Sequence, residues 1–373
     1  MVEDGREPLV VPPTSEIVRS GLDGVRVWTE TAGFRVAVVG AGPAGSAATS
    51  VLGRSGISVL LLEHGLPGKD KACGDALVPS AVACLTQHGI GTKELEVLDG
   101  FPFRGIDIRC KDQLLWRHPL DESMGWIVPR AVLDQTLRDA VAGSCTIVYG
   151  ATVTDVLSAS PDSWQVVLRQ GTLTEAVRCD GVILATGAGN RLAQRWGVCG
   201  RPLLATSISS YASVPAPEHP FFEFTESCQP GYGWVFPMAP GQINIGVCDL
   251  APRTRSLRKM VDVYFADRGV DNHHSLRGGG GPLWSGLGKT WHHPSALLSC
   301  GDCAGLVDPM SGEGITAALL SGEHAGLAME RYLRDDRNPR WLHEYSLWVR
   351  DHFAGRYLET ATRRVWRSLC ALS

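Results

Sequence analysis

The chain has 373 residues, 20% of them charged, and a formal net charge of −4. That length buries a sizeable core and, at ~150 residues per domain, holds two or three domains; the near-balanced charge supplies no basic field for a nucleic-acid partner. Eleven cysteines, scattered singly in a chain too long to need a disulfide scaffold, fit a reducing cytosol. With no signal-peptide pattern and no stretch of ~18 apolar residues, the expectation is a soluble, cytoplasmic protein.

Residues 1–33 mix proline, glycine and alternating charge without periodicity, and read as an N-terminal extension ordered only where it docks. A buried strand at 34–39, a glycine-rich turn, a small-residue helix at 44–54 and a buried strand at 58–63 make a βαβ opening. A helix is expected at 78–88, an antiparallel pair at 105–110 and 113–118, and a helix from Pro129 to 142. Strands follow at 145–149, 151–158, 163–169, 172–178 and 181–185, and 202–249 is β-rich with dense aromatics. Residues 255–268 suit an amphipathic helix and 273–283, HHSLRGGGGPL, a flexible turn. A strand at 295–300, a long helix at 314–333 and one or two terminal helices complete the chain.

Gly40-Ala41-Gly42-Pro43-Ala44-Gly45 has GxGxxG spacing between a strand and a helix. Its first glycine makes the turn, its second lets backbone approach a pyrophosphate, and its third lets helix and sheet pack closely; Ala44 opens the helix whose N-terminus faces the phosphates. Glu63 ends the next strand about twenty residues on, where an acid hydrogen-bonds a ribose. Far downstream, CGDCAGLVDPMSGEGIT at 300–316 repeats the device: a strand ends in Gly301-Asp302, and a turn through Gly312 and Gly314 opens a helix at Ile315. Two helix N-termini converging from the ends of the chain suit a long cofactor such as FAD.

These motifs, with VPRAVLDQTL at 128–137, resemble the p-hydroxybenzoate-hydroxylase-like FAD oxidoreductases, and DKACGDALVP and PGYGWVFP are similar to segments of the geranylgeranyl reductase family within them. The resemblance spans residues 35 to about 365. It implies an α/β fold: a Rossmann-like FAD-binding domain of the glutathione-reductase/p-hydroxybenzoate-hydroxylase type (35–100, 125–200 and 288–335), an antiparallel β-sheet substrate domain (101–124 and 201–287) and C-terminal helices (336–373). It also implies FAD contacts from Gly40, Gly42, Ala44, Gly45 and Glu63, from Cys73 and Gly74, from Arg130 on the phosphate side, from Gly301 and Asp302, and from Gly312, Gly314 and Ile315 at the flavin ring. Tyr232, Trp234 and Phe236, on one face if 231–237 is a strand, then line a substrate cavity; the alternative is that these rings fill a core.

The reaction implied is reduction of a C=C bond in an isoprenoid or other hydrophobic natural product, with NAD(P)H or a reduced flavin or ferredoxin partner as electron donor. The alternatives are a flavin monooxygenase, a halogenase and a non-catalytic FAD protein. Where the hydroxylases carry DGxxSxxR, TGAGNRLAQ at 186–194 lacks both charged members, which weakens the hydroxylase reading; Tyr232 and Phe236 depart from the halogenases' WxWxIP. Cys73 is either a proton-donating catalytic thiol beside the flavin or a small spacer. Cys300 and Cys303 have the CxxC spacing without further metal ligands and read as small buried residues, and the histidine pairs at 273–274 and 292–293 as loop residues. The basic segment at 361–372 reads as a terminal helix packed on the core, with membrane-surface contact as its alternative.

Overall fold

The structure, a computed structural model, describes residues 17–19, 25–28 and 34–354, apart from short stretches at 121–123, 190, 200–202, 229–230, 240, 251–256, 271–275, 284–289 and 310. The βαβ opening forms as its sequence dictates. Val36–Val39 is apolar throughout and wholly buried, as a strand covered on both faces must be. It pairs in parallel with Val59–Glu63 across the helix Pro43–Arg54, whose proline sits in the first turn. These strands centre a six-stranded sheet in the order Thr146–Tyr149, Val59–Glu63, Val36–Val39, Gly181–Leu184, Leu297–Ser299, His292–His293, parallel except for the last pair. The small residues of the first helix are explained by its neighbour, Ile315–Arg334. A Cβ on Gly322 would strike the Ala44 carbonyl, and one on Gly326 would come within 2.9 Å of the Ala48 carbonyl, so the two helices approach to backbone contact.

The second large sheet has seven strands, in the order Arg277–Leu283, Leu203–Ala212, Gln242–Asp249, Tyr232–Ala239, Phe221–Phe224, Gly105–Cys110, Gln113–Pro119. Neighbours are antiparallel except Phe221–Phe224 with Gly105–Cys110. One face is covered by the helix Leu257–Ala266, whose Met260, Val261, Tyr264 and Phe265 pack against Val235, Ile243, Ile245 and Val247. The other face carries Tyr232, Trp234 and Phe236 and looks toward the glycine turns of the first sheet. A small sheet of Ala76–Leu77, Gly125–Ile127 and Phe101–Phe103 lies where the chain crosses between the two.

Two expectations are corrected, and one helix was not anticipated. Arg277–Leu283, read as part of a flexible turn, is the edge strand of the large sheet: glycines pair through backbone alone, and Pro282 is tolerated at an edge. His292 and His293, read as loop residues, form a short strand against Leu297 and Leu298; residues 273 and 274 lie outside the described residues. The short helix Thr92–Val97 has too few residues to show helical periodicity in the sequence. The N-terminal extension does dock, through Val25–Trp28 alongside Thr174–Val177 in a five-stranded sheet. One terminal helix, Arg340–Ala354, is described, and the segment 361–372 lies outside the described residues. Among the described residues no helix is long and apolar enough to cross a membrane.

Candidate functional site

A cavity of about 1260 Å³ runs between the carboxyl ends of the parallel strands and the aromatic face of the seven-stranded sheet. Ordinary small-molecule sites occupy roughly 300–1,000 Å³, so this one has room for a long cofactor and a second ligand. The expected site residues line it, with two exceptions, Gly45 and Gly301. Both lie one layer behind. A Cβ on Gly45 would strike the Gly40 carbonyl, and Gly301 donates its N–H to Ser321 Oγ at 2.9 Å with a Cβ position 2.9 Å from that of Ala44. Their glycines let turn and helices close up and expose no surface to a ligand.

Gly40 sits at φ +103°, where a side chain is strained, and its missing Cβ lets the turn pass against the Ala185 carbonyl. A Cβ on Gly42 would meet nothing within 4 Å, so the turn leaves open space at the N-terminus of Pro43–Arg54, which no side chain caps. Glu63 is held in place by this turn: Ala41 N–H donates to Oε2 at 2.9 Å and Gly65 N–H to Oε1 at 2.7 Å. At the other end Gly312 has φ +70°, and Gly314 begins the helix Ile315–Arg334, whose first turn is capped by Glu313: its Oε1 accepts the Thr316 N–H at 2.7 Å. Lys71 Nζ donates to Asp302 Oδ2 at 3.0 Å. Burial opposes the Asp302 charge, but Lys71 and Arg130 outweigh it and hold the carboxyl below its usual range.

Arg130, 6% exposed, makes a two-pronged contact with Asp134 one turn on, at 3.0 and 2.9 Å, so its charge is largely matched within its own helix. A second arginine, which the sequence reading missed, sits two turns further along that face. Arg138 is 4% exposed, lines the cavity, and reaches the Ala41 carbonyl with Nη1 at 3.5 Å and Gln135 Oε1 with Nη2 at 3.0 Å. Its Nε has no partner, and among the described residues no carboxylate pairs with it. The signal was its spacing: positions 130, 134 and 138 share one helix face.

The Cys73 loop meets the aromatic strand directly. A Cβ on Gly74 would come within 2.6 Å of the Phe236 ring, so glycine is required here by the ring. Cys73 itself lines the cavity; burial pushes its thiol up, against the opposing charge of Arg130, and keeps it protonated. Asp75, fully buried at φ +64°, ties the loop down. Its Oδ1 accepts Arg130 N–H at 3.2 Å; its Oδ2 accepts Tyr211 O–H at 2.8 Å and Asn244 Nδ2 at 2.7 Å. Asn244 also donates to the Cys73 carbonyl at 2.8 Å and accepts Trp234 Nε1–H at 3.0 Å. Tyr232, Trp234 and Phe236 are both buried and cavity-lining, and Phe222 packs edge-on against Tyr232 and Phe236 with centroids 5.3 and 5.2 Å away. Cys300 and Cys303 are free and buried, with both thiols directed to the Leu184 carbonyl.

Residues 119–325 match the family model described as FAD dependent oxidoreductase. The chain is 31% identical over 322 residues to a menaquinone reductase of Mycobacterium tuberculosis, covering 78% of this chain and 75% of that one. It is 27% identical over 334 residues to a digeranylgeranylglycerophospholipid reductase of Methanocaldococcus jannaschii, covering 86% and 83%. The crystal structure of a geranylgeranyl bacteriochlorophyll reductase-like protein from Thermoplasma acidophilum superposes with a TM-score of 0.76 over 90% of this chain and 86% of that one, at 20% identity.

Proposed function

We infer the reaction from a single premise: the chain belongs to the geranylgeranyl/digeranylgeranylglycerophospholipid reductase-like family of FAD-dependent oxidoreductases. The residues present fit the cofactor. Open space over Gly42, the N-terminus of Pro43–Arg54 without a side-chain cap and the Arg138 Nε, unpartnered among the described residues, meet in one cavity with the glycine turn at Gly312–Gly314, which is the donor set a diphosphate and a flavin require. On this reading Gly40, Gly42 and Ala44 hold the diphosphate with Arg130 and Arg138 behind it, and Glu63 holds the ribose. Asp302 takes the ribityl region, and Gly312, Gly314 and Ile315 the ring edge.

The chain acts as a reductase of a C=C bond in an isoprenoid lipid, of the kind borne by menaquinone. The observation that carries this is the placement of Cys73 and the Tyr232, Trp234 and Phe236 rings in the same cavity as both glycine turns. Reduction of a C=C bond takes a hydride, which FAD supplies when bound and reduced, and a proton, which the Cys73 thiol holds at Sγ. The rings exclude water and lay the chain flat; the Asp75 and Asn244 hydrogen bonds fix the Cys73 backbone and the Trp234 ring relative to one another. We assign the electrons to NAD(P)H or to a reduced flavin or ferredoxin partner, and the protein to the cytoplasm. The parallel sheet is assigned as the FAD-binding domain and the seven-stranded sheet as the substrate domain.

The test is anaerobic. FAD-loaded protein reduced with dithionite is mixed with menaquinone; the flavin absorbance should return without oxygen and one C=C bond of the product should be saturated. Return only on admitting oxygen would overturn the reductase reading in favour of an oxygenase. Cys73→Ala and Cys73→Ser should keep FAD and slow the substrate-driven step; full turnover in both makes Cys73 a spacer.

A further inference from the structure

The cavity face of the seven-stranded sheet changes character from edge to edge. One rung of register crosses every strand: Arg277 pairs with Ser209, Ser209 with Gly246, and Gly246 with Trp234. From there Trp234 pairs with Phe222, Phe222 with Ile108, and Ile108 with Trp116. Residues on one rung point to one face, and six inter-strand steps of ~4.8 Å span roughly 29 Å.

At the first edge the rung is polar and unsatisfied. Arg277 lines the cavity and spends only Nη1, on Asp70 Oδ2 at 2.8 Å and on the Tyr211 hydroxyl at 2.7 Å. Its Nε and Nη2, and the fully buried Ser209 hydroxyl beside it, have no partner among the described residues. Buried donors left unpaired are costly, and three on adjacent residues of one rung mark a place for an oxygen acceptor. The acceptor should be uncharged. Asp70 at 2.8 Å and Asp75 at 3.9 Å already match the guanidinium charge, so a phosphate would face two carboxylates for one cation.

At the other edge the same rung is apolar and open. Phe222 lines the cavity, Ile108 is half-buried beside it, and Trp116 on the outermost strand is 56% exposed. The face that walls the cavity therefore continues out of it as an apolar track.

We propose that this face binds an amphipathic isoprenoid crosswise to the strands, an uncharged carbonyl-bearing head on Arg277 and Ser209 and the tail over Phe222 and Ile108 to Trp116. This orientation rests on the reading of the cavity as an isoprenoid site. It is tested on the FAD-loaded full chain with three probes: menaquinone analogues with a short and a long tail, and geranylgeranyl diphosphate. Dissociation constants are read from the perturbation of bound-flavin absorbance. Arg277→Gln should weaken both quinones by roughly ten- to a hundredfold, and Ser209→Ala, which removes one hydroxyl and repeats the head test should Arg277→Gln not fold, by about fivefold. Trp116→Ser should weaken the long-tailed quinone about tenfold and leave the short-tailed one unchanged. Head variants without effect on either quinone, or a Trp116→Ser effect that ignores tail length, overturn the orientation. So does a diphosphate that binds more tightly than the quinones and is lost in Arg277→Gln. A wild-type chain that binds no isoprenoid probe sinks the isoprenoid reading itself, whereas tight binding indifferent to these variants sinks only the orientation.

Discussion

The two sheets that wall the cavity present themselves to ligands by different means. The parallel sheet offers backbone: glycine turns at Gly40–Gly45 and Gly312–Gly314 and the N–H groups of two helix N-termini. The seven-stranded sheet offers side chains, gathered one per strand from positions as far apart in sequence as Ile108, Trp234 and Arg277. A backbone site needs a fixed local spacing and tolerates almost nothing in place of glycine. A side-chain site needs register, and local sequence does not state register.

The sharpest way to break that contrast is to add one methyl group to the backbone site. Gly45→Ala drives a Cβ into the Gly40 carbonyl, a clash between two backbones that neither a rotamer nor a side-chain shift relieves. Flavin content after purification, read as the ratio of flavin to protein absorbance, should fall by more than about a hundredfold. A yellow, stable Gly45→Ala protein would show that the turn is not held by helix contact.

Next in size is Asp75, which ties the Cys73 loop and the Arg130 backbone to the seven-stranded sheet. Burial pushes its carboxyl up to about 6, with Arg277, Tyr211 and Asn244 opposing and Asp70 adding to the rise. The unfolded value is near 3.9, so between about pH 4 and 6 the folded state holds the proton more firmly than the unfolded chain does. The stability contributed by this group is therefore full below pH 4 and is lost as pH rises through 6, a change on the order of 3 kcal/mol. Asp75→Asn should remove most of that fall, seen by comparing urea unfolding of both proteins at the two pH values. An undiminished fall would assign the titration to another group.

Smaller again is Gly74→Ala, aimed at the side-chain site. Its Cβ meets the Phe236 ring at 2.6 Å, and a ring can turn where a carbonyl cannot. The protein should keep its flavin and lose roughly ten- to a hundredfold in kcat/KM for the lipid, on a cost of ~1–3 kcal/mol for overpacking. Loss of flavin instead would place Gly74 with the backbone site.

The same contrast governs what the sequence made legible. The βαβ opening, Glu63 and the second glycine turn are local patterns and were read in place. The strand Arg277–Leu283 was not, because four glycines carry no alternation and the pairing that makes them a strand lies with Leu203–Ser209. Asp75 was passed over although it adjoins Cys73, since its partners Tyr211 and Asn244 come from strands paired more than a hundred residues later. Tyr232, Trp234 and Phe236 were placed on one face from alternation alone, but whether that face met a core or a cavity depended on the opposite sheet.

Arg138 tests whether the backbone site also leans on side chains. Its neighbour Arg130 was the residue the motif suggested, yet Arg130 already spends both prongs on Asp134, whereas Arg138 reaches the glycine turn at Ala41 and pairs with no carboxylate among the described residues. A buried cation with a free Nε in a cavity wall is stabilised by an anion that arrives there. Arg138→Gln should raise the dissociation constant for FAD about tenfold, the loss of one charge-assisted hydrogen bond, while turnover at saturating FAD stays near that of the wild type. The paired change Arg130→Gln with Asp134→Asn should weaken FAD less, because the two charges cancel and their joint removal leaves the net charge of the cavity unchanged. The reverse order, read by flavin fluorescence on reconstitution of the stripped protein, would return the phosphate contact to Arg130 and make Arg138 a strut for the turn.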